Sequence, residues 1–185
     1  GHRNGNARRM TDLPKIEVIV PEDELLAQID KLADTLAPRL TGEWTIVSIL
    51  IGATPFTADL MKALARRDIH PTLDVIWLES YRDARESSGR VVVRADLARS
   101  VKDKGVIILD DVYDTGRTLA FAKTHLLSKG AREVITCALT QKPWAPRGAD
   151  GVDYCAIDAP GRYLVGYGMD DAGKYRGLPY IGALD

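Results

Sequence analysis

The most restrictive feature of the sequence is a short apolar segment that runs directly into a cluster of acidic residues. Gly105 to Leu109 carries no polar side chain, which is typical of a strand covered on both faces in a parallel sheet. Three carboxylates follow, at Asp110, Asp111 and Asp114, and a Thr-Gly-Arg-Thr sequence at 115–118 precedes an amphipathic stretch. This pattern predicts a buried strand, a turn that carries acids, and then a helix.

Strand patterns alternate with single helical patterns along most of the chain. Strands are predicted at 45–51, 72–78, 90–94, 105–109 and 134–139, and helices at 20–36, 55–67 and 118–129. Such alternation predicts an α/β fold, with a mainly parallel sheet flanked by helices. The 185 residues suit a single domain. We expect 1–12 to be a disordered tail, 79–89 a long loop or a flexible hairpin that serves as a lid, and 163–185 an irregular segment.

Composition excludes several classes of function. A formal net charge of -1 provides no excess of positive charge for a general nucleic-acid binder. No apolar run approaches the ~18 residues that a membrane-spanning helix needs, so we expect neither a nucleic-acid nor a membrane partner. Cys137 and Cys155 are too few for a disulfide framework or a zinc site, and a cytoplasmic location is expected. Cys137 and the tryptophans, including Trp144, are expected in the core or as loop anchors rather than as ligand platforms.

The turn after the apolar strand is suited to a phosphorylated sugar. A glycine-containing turn at a helix N-terminus presents unpaired N–H groups and the positive end of the dipole, which can hold a phosphate. Thr115 and Thr118 add hydroxyl donors. Asp110 and Asp111 would repel a phosphate, so we expect them to face sugar hydroxyls or a hydrated magnesium ion. The alternative interpretation is a solvated acidic loop before an ordinary helix cap.

The stretch of apolar strand, two acids and Asp-Thr-Gly-x-Thr resembles the 5-phosphoribosyl 1-pyrophosphate (PRPP) motif of the phosphoribosyltransferases. Gln141-Lys142-Pro143 and the segments 163–170 and 174–182 are similar to the 6-oxopurine branch, the hypoxanthine-guanine phosphoribosyltransferases. Upstream, 52–64, 79–81 and 86–89 match the same branch. The resemblance implies a type I phosphoribosyltransferase fold with a small irregular hood built from the terminal segments. It also implies transfer of the phosphoribosyl group from PRPP to hypoxanthine or guanine, which yields IMP or GMP and pyrophosphate in purine salvage.

The resemblance also implies how PRPP would be held. Asp110 and Asp111 would bind the ribose hydroxyls, and Asp170 would ligate a magnesium ion (Mg²⁺), a hard cation that prefers oxygen ligands. The remaining contacts would come from Asp114, Thr115, Gly116, Arg117 and Thr118 for the 5-phosphate, and from Ile51, Gly52 and Arg176 for pyrophosphate. Ser80 and Tyr81 would close over the reaction as a lid, although exposed polar loops are common.

Four residues are implied to contact the purine. Asp114 would lie near the imidazole edge as the catalytic base, and Lys142 would donate to the exocyclic oxygen, where a cation favours developing negative charge. Tyr163 would stack on the base, and Leu164 would contribute backbone groups to the ring edge. A surface lysine and a buried core tyrosine are the structural alternatives for Lys142 and Tyr163.

The sequence departs from the family pattern at Ile51, where most members have lysine. Pyrophosphate would then be bound there only by backbone N–H groups, and a family cis peptide is expected between Ile51 and Gly52. Ile51 therefore leaves open a PRPP-binding protein with weak activity. An RNA-binding regulator on the same scaffold also stays open, since such regulators can share the Asp-Asp-Val and Thr-Gly-Arg-Thr sequences present here. The resemblance implies a homodimer or homotetramer, and the sequence does not rank hypoxanthine, guanine and xanthine.

Overall fold

The computed structural model describes residues 15–81 and 89–184. Within those ranges, the strands and helices in chain order are β1 (Ile16–Val20), α1 (Glu22–Leu36), β2 (Trp44–Leu50), α2 (Thr54–Ala65), β3 (Thr72–Tyr81), β4 (Arg90–Ala95), β5 (Gly105–Tyr113), α3 (Arg117–Ser128), β6 (Glu133–Gln141), β7 (Tyr154–Asp158), β8 (Tyr163–Val165) and β9 (Ile181–Leu184). None of the helices in the described part of the chain is long and apolar enough to cross a membrane.

A six-stranded sheet in the order β4-β3-β2-β5-β6-β7 forms the centre of the fold. Neighbouring strands are parallel throughout, except for β3 and β4, which pair as an antiparallel hairpin. The expected α/β fold with a mainly parallel sheet is therefore confirmed. Because β5 lies between β2 and β6, its carboxyl end opens at the middle of the sheet edge, where ligands bind in folds of this kind.

Helices cover both faces of this sheet, which explains the apolar character of β5. Ile107 and Leu109 pack on the face that buries α1 and α2, whereas Val106 and Ile108 pack on the face that buries α3. Alternating side chains of one strand thus enter two separate cores. Cys137 is buried in the first of these cores, as expected for a small core residue.

The terminal segments are more regular than expected. Strands β1, β9 and β8 form a second, antiparallel sheet, so the prediction of irregular structure over 163–185 is wrong at β8 and β9. Both strands are very short. Strand β9 pairs with β1 from the other end of the chain, with Ile16 opposite Leu184. Pairing at such a distance leaves no local pattern. This hood sheet borders the carboxyl edge of the main sheet, because Leu164 of β8 and Asp111 of β5 line the same cavity.

Two boundaries differ from the sequence predictions. Strand β5 continues through Asp110 and Asp111 to Tyr113, because β6 pairs with it as far as Tyr113↔Gln141, whereas its pairing with β2 ends at Leu109. Within the expected loop or hairpin at 79–89, Glu79, Ser80 and Tyr81 pair with β4 and so belong to a strand. The rest of that loop, at 82–88, and the expected tail at 1–12 lie outside the described residues.

Candidate active site

The turn between β5 and α3 has the geometry of an anion site. Gly116 caps the helix in the left-handed conformation, with φ 83°, and a β-carbon there would lie 2.9 Å from the Tyr113 hydroxyl. Both conditions require glycine. The first N–H groups of α3 have no carbonyl of their own helix to bind, and Asp114, Thr115 and Arg117 are exposed around them. A small cavity of about 50 Å³ lies in this turn.

Two adjacent carboxylates occupy the end of β5. Asp110 is buried, and it accepts a 2.9 Å hydrogen bond from the backbone N–H of Asp111. Burial raises the pKa of Asp110 well above its ordinary value, and the neighbouring charge of Asp111 raises it further. Thr140 on β6 holds the Asp111 carbonyl at 2.9 Å. The pair is thus fixed in position and favours binding partners that donate hydrogen bonds or carry positive charge.

The loop after β2 forms the opposite wall. Gly52 is buried, and Ile51 is 47% exposed. The cis peptide bond lies between Leu50 and Ile51, so the prediction of its position, between Ile51 and Gly52, is wrong by one residue. A cavity of about 290 Å³ separates this loop from Asp110, Asp111 and Arg176, so the residues predicted to bind pyrophosphate do share one space.

Asp170 and Arg176 enter the same cavity from the hood. Arg176 donates to the Gly168 carbonyl at 2.6 Å and pairs with Asp170 at 3.3 Å. The N–H of Gly173 holds the second Asp170 oxygen at 2.8 Å. These contacts place a carboxylate and a guanidinium side by side on a short loop.

The predicted magnesium site would draw on the carboxylates at the end of β5 and in the hood. Asp110, Asp111 and Asp170 all line the 290 Å³ cavity, and carboxylate oxygens suit Mg²⁺. No group of three or more His, Cys, Asp or Glu side chains in the described ranges is arranged to hold a metal ion by itself. Mg²⁺ usually keeps several waters and binds one or two carboxylates together with substrate phosphates. The residues present fit that mode.

A larger cavity, of about 410 Å³, contains the residues predicted to contact the purine. It is lined by Asp114, Lys142, Tyr163 and Leu164, with Trp144, Arg162 and Asp170. Lys142 is buried and donates to the Arg162 carbonyl. Burial lowers the Lys142 pKa, an effect that the nearby charge of Asp114 opposes. Tyr163 is 56% exposed, not buried in the core, and its hydroxyl donates to the Asp170 carbonyl at 3.1 Å.

Leu164 lies on β8, at the edge of the hood sheet. Its side chain is buried and its backbone pairs with Ala183 on one side. Because β8 is an edge strand, the backbone N–H and C=O groups on its outer side have no partner strand in the hood sheet. This placement agrees with a backbone contact to a ligand in the 410 Å³ cavity, which Leu164 lines.

Trp144 is the functional candidate that the sequence analysis missed. It was expected in the core or as a loop anchor, but its side chain is 61% exposed and lines the 410 Å³ cavity. Its indole N–H donates to Asp114 Oδ1 at 2.5 Å. A possible signal in the sequence was its position two residues after Lys142, on the same loop.

The predicted lid residues lie at the margin. Ser80 lines the 290 Å³ cavity, while the Tyr81 hydroxyl accepts a 3.0 Å hydrogen bond from Arg94 of β4. Both belong to the β3–β4 hairpin, so the described part of the lid is a strand end. The structure therefore brings Ser80, but not the Tyr81 side chain, to the cavity wall.

The three cavities adjoin at the end of β5. Asp110 and Thr118 line both the 50 Å³ and the 290 Å³ cavities, and Asp111 lines both the 290 Å³ and the 410 Å³ cavities. Asp114 connects the turn to the 410 Å³ cavity. One ligand can thus extend from the turn past the carboxylate pair into either larger space.

This combination of fold and site defines a class of protein. Residues 21–158 match the phosphoribosyl transferase domain family, and the chain belongs to that family.

More specific similarity is found to purine phosphoribosyltransferases. The hypoxanthine-guanine phosphoribosyltransferase of Streptococcus mutans is 32% identical over 91% of this chain and 92% of its own length. The bifunctional protein TilS/HprT of Listeria innocua is 37% identical over 97% of this chain, which spans only 27% of that longer protein.

Solved structures show the same relationship. A hypoxanthine phosphoribosyltransferase from Staphylococcus aureus superposes with a TM-score of 0.84 at 32% identity, covering 95% of this chain and 94% of that one. The hypoxanthine phosphoribosyltransferase of Trypanosoma cruzi, solved in complex with the product IMP, has a TM-score of 0.83 at 26% identity and covers 96% and 97% of the two chains. The type I phosphoribosyltransferase fold implied by the sequence is confirmed.

Proposed function

We propose that this chain transfers the 5-phosphoribosyl group from PRPP to hypoxanthine or guanine, forming IMP or GMP and releasing pyrophosphate in purine salvage. The single observation that carries the proposal is the meeting of three cavities at Asp110–Asp114. Their sizes and linings suit a 5-phosphate, a pyrophosphate and a purine. The names of the similar proteins, one of them solved with IMP, support the same substrates.

In this proposal PRPP lies across the carboxylate pair. Its 5-phosphate binds the N–H groups and hydroxyls of 115–118 at the N-terminus of α3, where the dipole favours an anion. Asp110 and Asp111 accept hydrogen bonds from the ribose hydroxyls. Arg176 presents a planar guanidinium, which is shaped to bind phosphate oxygens, and the backbone at Ile51 and Gly52 supplies further donors.

The base occupies the 410 Å³ cavity. Tyr163 stacks on the ring, and Lys142 donates to the exocyclic oxygen, which selects 6-oxopurines because an amino group there would be repelled. Asp114 takes a proton from the imidazole edge as the purine nitrogen forms its bond to the anomeric carbon. The bond from that carbon to pyrophosphate breaks, and the electron pair leaves with pyrophosphate.

Mg²⁺ is the proposed cofactor, held by Asp170 with water and substrate oxygens. When bound, it neutralises charge on the phosphate oxygens of the leaving group. The hood residues meanwhile keep Arg176 beside Asp170, so that both reach the pyrophosphate cavity. Ser80 adds a hydroxyl to the rim of that cavity, and closure of Ser80 and Tyr81 over it would exclude water.

The proposal is tested by incubating the purified chain with PRPP and each of hypoxanthine, guanine, xanthine and adenine, with and without Mg²⁺. We expect magnesium-dependent IMP and GMP formation and no product from adenine. Asp114→Asn should abolish most turnover and retain PRPP binding. The matched control is Asp68→Asn, since this exposed carboxylate precedes β3 at the amino edge of the sheet. Loss of PRPP binding with normal turnover would show that the role of Asp114 is wrong.

The proposed partners are these small molecules and a second copy of the chain. Leu73, Val75 and Trp77 are 44%, 39% and 42% exposed on one face of β3, and such an apolar stripe supports a homodimer or homotetramer. Light scattering of wild type and Val75→Asp tests this oligomer, with dissociation expected in the variant.

A cytoplasmic location is also proposed, supported by the free thiols of Cys137 and Cys155.

The RNA-binding alternative has less support. Asp114 places a carboxylate beside the turn, and the described cavities suit small ligands. An excess of positive charge is also lacking in the whole sequence, at a net charge of -1. An RNA-binding assay over a range of salt concentrations separates the two functions. RNA binding without turnover of hypoxanthine would favour the regulator, and turnover without RNA binding would favour the enzyme.

A further inference from the structure

Trp144 occupies an unusual position for so large an apolar side chain. It follows β6 in an exposed loop, and 61% of it is accessible to solvent. Its neighbour Ala145 is buried, and the Ala145 N–H donates to the Lys142 carbonyl at 3.1 Å. The loop is therefore anchored on both sides of the tryptophan, and the indole is held outward into the 410 Å³ cavity.

The indole ring is held by close packing at its far edge. A β-carbon on Gly161 would lie 2.7 Å from the ring atom Cζ3, so the absence of a side chain at Gly161 makes room for the indole. The Nζ atom of Lys142 lies 6.0 Å from the ring centroid, a distance at which a cation is attracted to an indole face. The backbone at Gly161 and the ammonium group of Lys142 thus determine the orientation of the indole ring.

The N–H of this fixed ring points at the proposed catalytic base. Nε1 lies 2.5 Å from Asp114 Oδ1. Asp114 itself is exposed, on a turn between β5 and α3, and a short acidic side chain in such a place has several rotamers available. A hydrogen bond from a rigid donor to a charged acceptor is among the stronger ones. It selects one rotamer and leaves the second oxygen, Oδ2, available to a ligand in the 410 Å³ cavity that Asp114 lines.

We propose that Trp144 is a positioning residue that holds Asp114 in the orientation needed to accept a proton from the purine. The inference rests on the proposed function, since it assigns Asp114 the role of base. Trp144 acts through one donated hydrogen bond and does not itself exchange a proton. A misplacement of about 1 Å in a reacting group can reduce turnover by as much as 100-fold, so the contribution of this bond is measurable.

The first experiment compares kcat and KM of Trp144→Phe, which keeps an aromatic ring and removes the N–H. We expect kcat with hypoxanthine to fall about tenfold or more, with KM for PRPP unchanged. In the Asp114→Asn background the same substitution should have no further effect. Asp68→Asn, at an exposed carboxylate on the amino edge of the sheet, should behave as wild type. Unchanged kcat in Trp144→Phe, or full additivity with Asp114→Asn, would overturn the proposal.

The second experiment does not depend on turnover. The chain has three tryptophans, so three indole N–H signals are expected in a ¹H–¹⁵N spectrum, and the signal absent from Trp144→Phe identifies Trp144. That signal should move in Asp114→Asn and stay in place in Asp68→Asn. A signal insensitive to Asp114→Asn would show that the hydrogen bond does not exist in solution. If the signal moves but wild type forms no nucleotide, the contact is real and the proposed function fails instead.

Discussion

The carboxylate of Asp111 lies against the backbone of Gly52, where a β-carbon would be 2.0 Å from Asp111 Oδ2 and 2.7 Å from Cγ. Asp111 lies near the end of β5 and Gly52 in the loop after the neighbouring strand β2, both at the carboxyl edge of the sheet. Real β-carbons do not approach other atoms so closely, so one of the two groups must move if Gly52 gains a side chain. The position of one proposed ribose ligand is thus tied to a glycine in the pyrophosphate loop.

Gly52→Ala should therefore displace Asp111 and weaken PRPP binding, by about tenfold if one hydrogen bond to a charged group is lost. The dissociation constant for PRPP, measured by calorimetry, checks this. Gly177→Ala is the control, since no atom lies within 4 Å of a β-carbon at that position. Equal PRPP affinity in Gly52→Ala and wild type would mean that the Asp111 carboxylate does not contact the sugar.

Asp110→Asn should stabilise the chain at neutral pH. Burial and the Asp111 charge raise the Asp110 pKa above its ordinary 3.8, so the folded chain binds more protons than the unfolded chain. Stability therefore falls as the pH rises from that value through the raised pKa. Asparagine carries no charge and can keep the acceptor for the Asp111 N–H. The expected rise in Tm is roughly 2–4 °C for each kcal/mol.

Thermal unfolding of Asp110→Asn and wild type, measured from about pH 4 to about pH 9, tests this difference in stability. The range is chosen because buried carboxyl groups can have pKa values as high as about 8–9. The variant should lose PRPP binding as it gains stability, which is common for residues retained for function. Asp68→Asn, an exposed carboxylate, should reproduce the wild-type profile. Identical pH profiles for Asp110→Asn and wild type would contradict a raised Asp110 pKa.

Ile51→Lys should improve the binding of PRPP and pyrophosphate. Ile51 is 47% exposed at the cavity that also contains Arg176, so an ammonium group has room to reach the phosphate oxygens. A hydrogen bond to a charged group contributes about 1.5 kcal/mol or more, roughly tenfold in KM for PRPP. Ile51→Met, unbranched and uncharged, separates the effect of charge from that of shape. If Ile51→Lys leaves KM unchanged, the loop does not contact pyrophosphate.

Tyr163→Ala should weaken IMP binding, and Tyr163→Phe should not. The proposed contact is stacking on the purine, worth about 1–3 kcal/mol per base, or roughly 5- to 150-fold. Phenylalanine keeps the ring and loses only the 3.1 Å hydrogen bond to the Asp170 carbonyl. Calorimetric titration with IMP distinguishes the two variants. An alanine variant with wild-type affinity would place the base elsewhere.

Most of the central sheet was predictable because its pattern is local, whereas its edge strand β7 (Tyr154–Asp158) was not predicted. Val106 to Leu109 alternate between two cores, and a strand covered on both faces must be apolar throughout, which is visible in the sequence. The turn was predictable for the same reason, since Gly116 must adopt a left-handed conformation directly before a helix. The C-terminal ends of β3 and β5 were harder to predict from the sequence. Polar residues such as Ser80 and Asp110 extend these strands only because the adjacent strands β4 and β6 pair with them.

The hood sheet and Trp144 depend on contacts that are distant in the sequence. Pairing of β1 with β9 joins Ile16 to Leu184, and nothing in either short segment specifies its partner. The indole of Trp144 reaches Asp114 across 30 positions, and it fits only because Gly161 lacks a side chain. A lone tryptophan in a polar loop carries no local pattern, so only the folded chain identifies it as part of the site.

The most direct test of the account is a crystal structure of the chain with IMP bound. In that structure we expect the phosphate to accept hydrogen bonds from the N–H groups of 115–118. We expect the ribose hydroxyls to donate to Asp110 and Asp111, and the base to lie between Tyr163 and Lys142. A phosphate bound elsewhere, with the turn before α3 left to solvent, would contradict it.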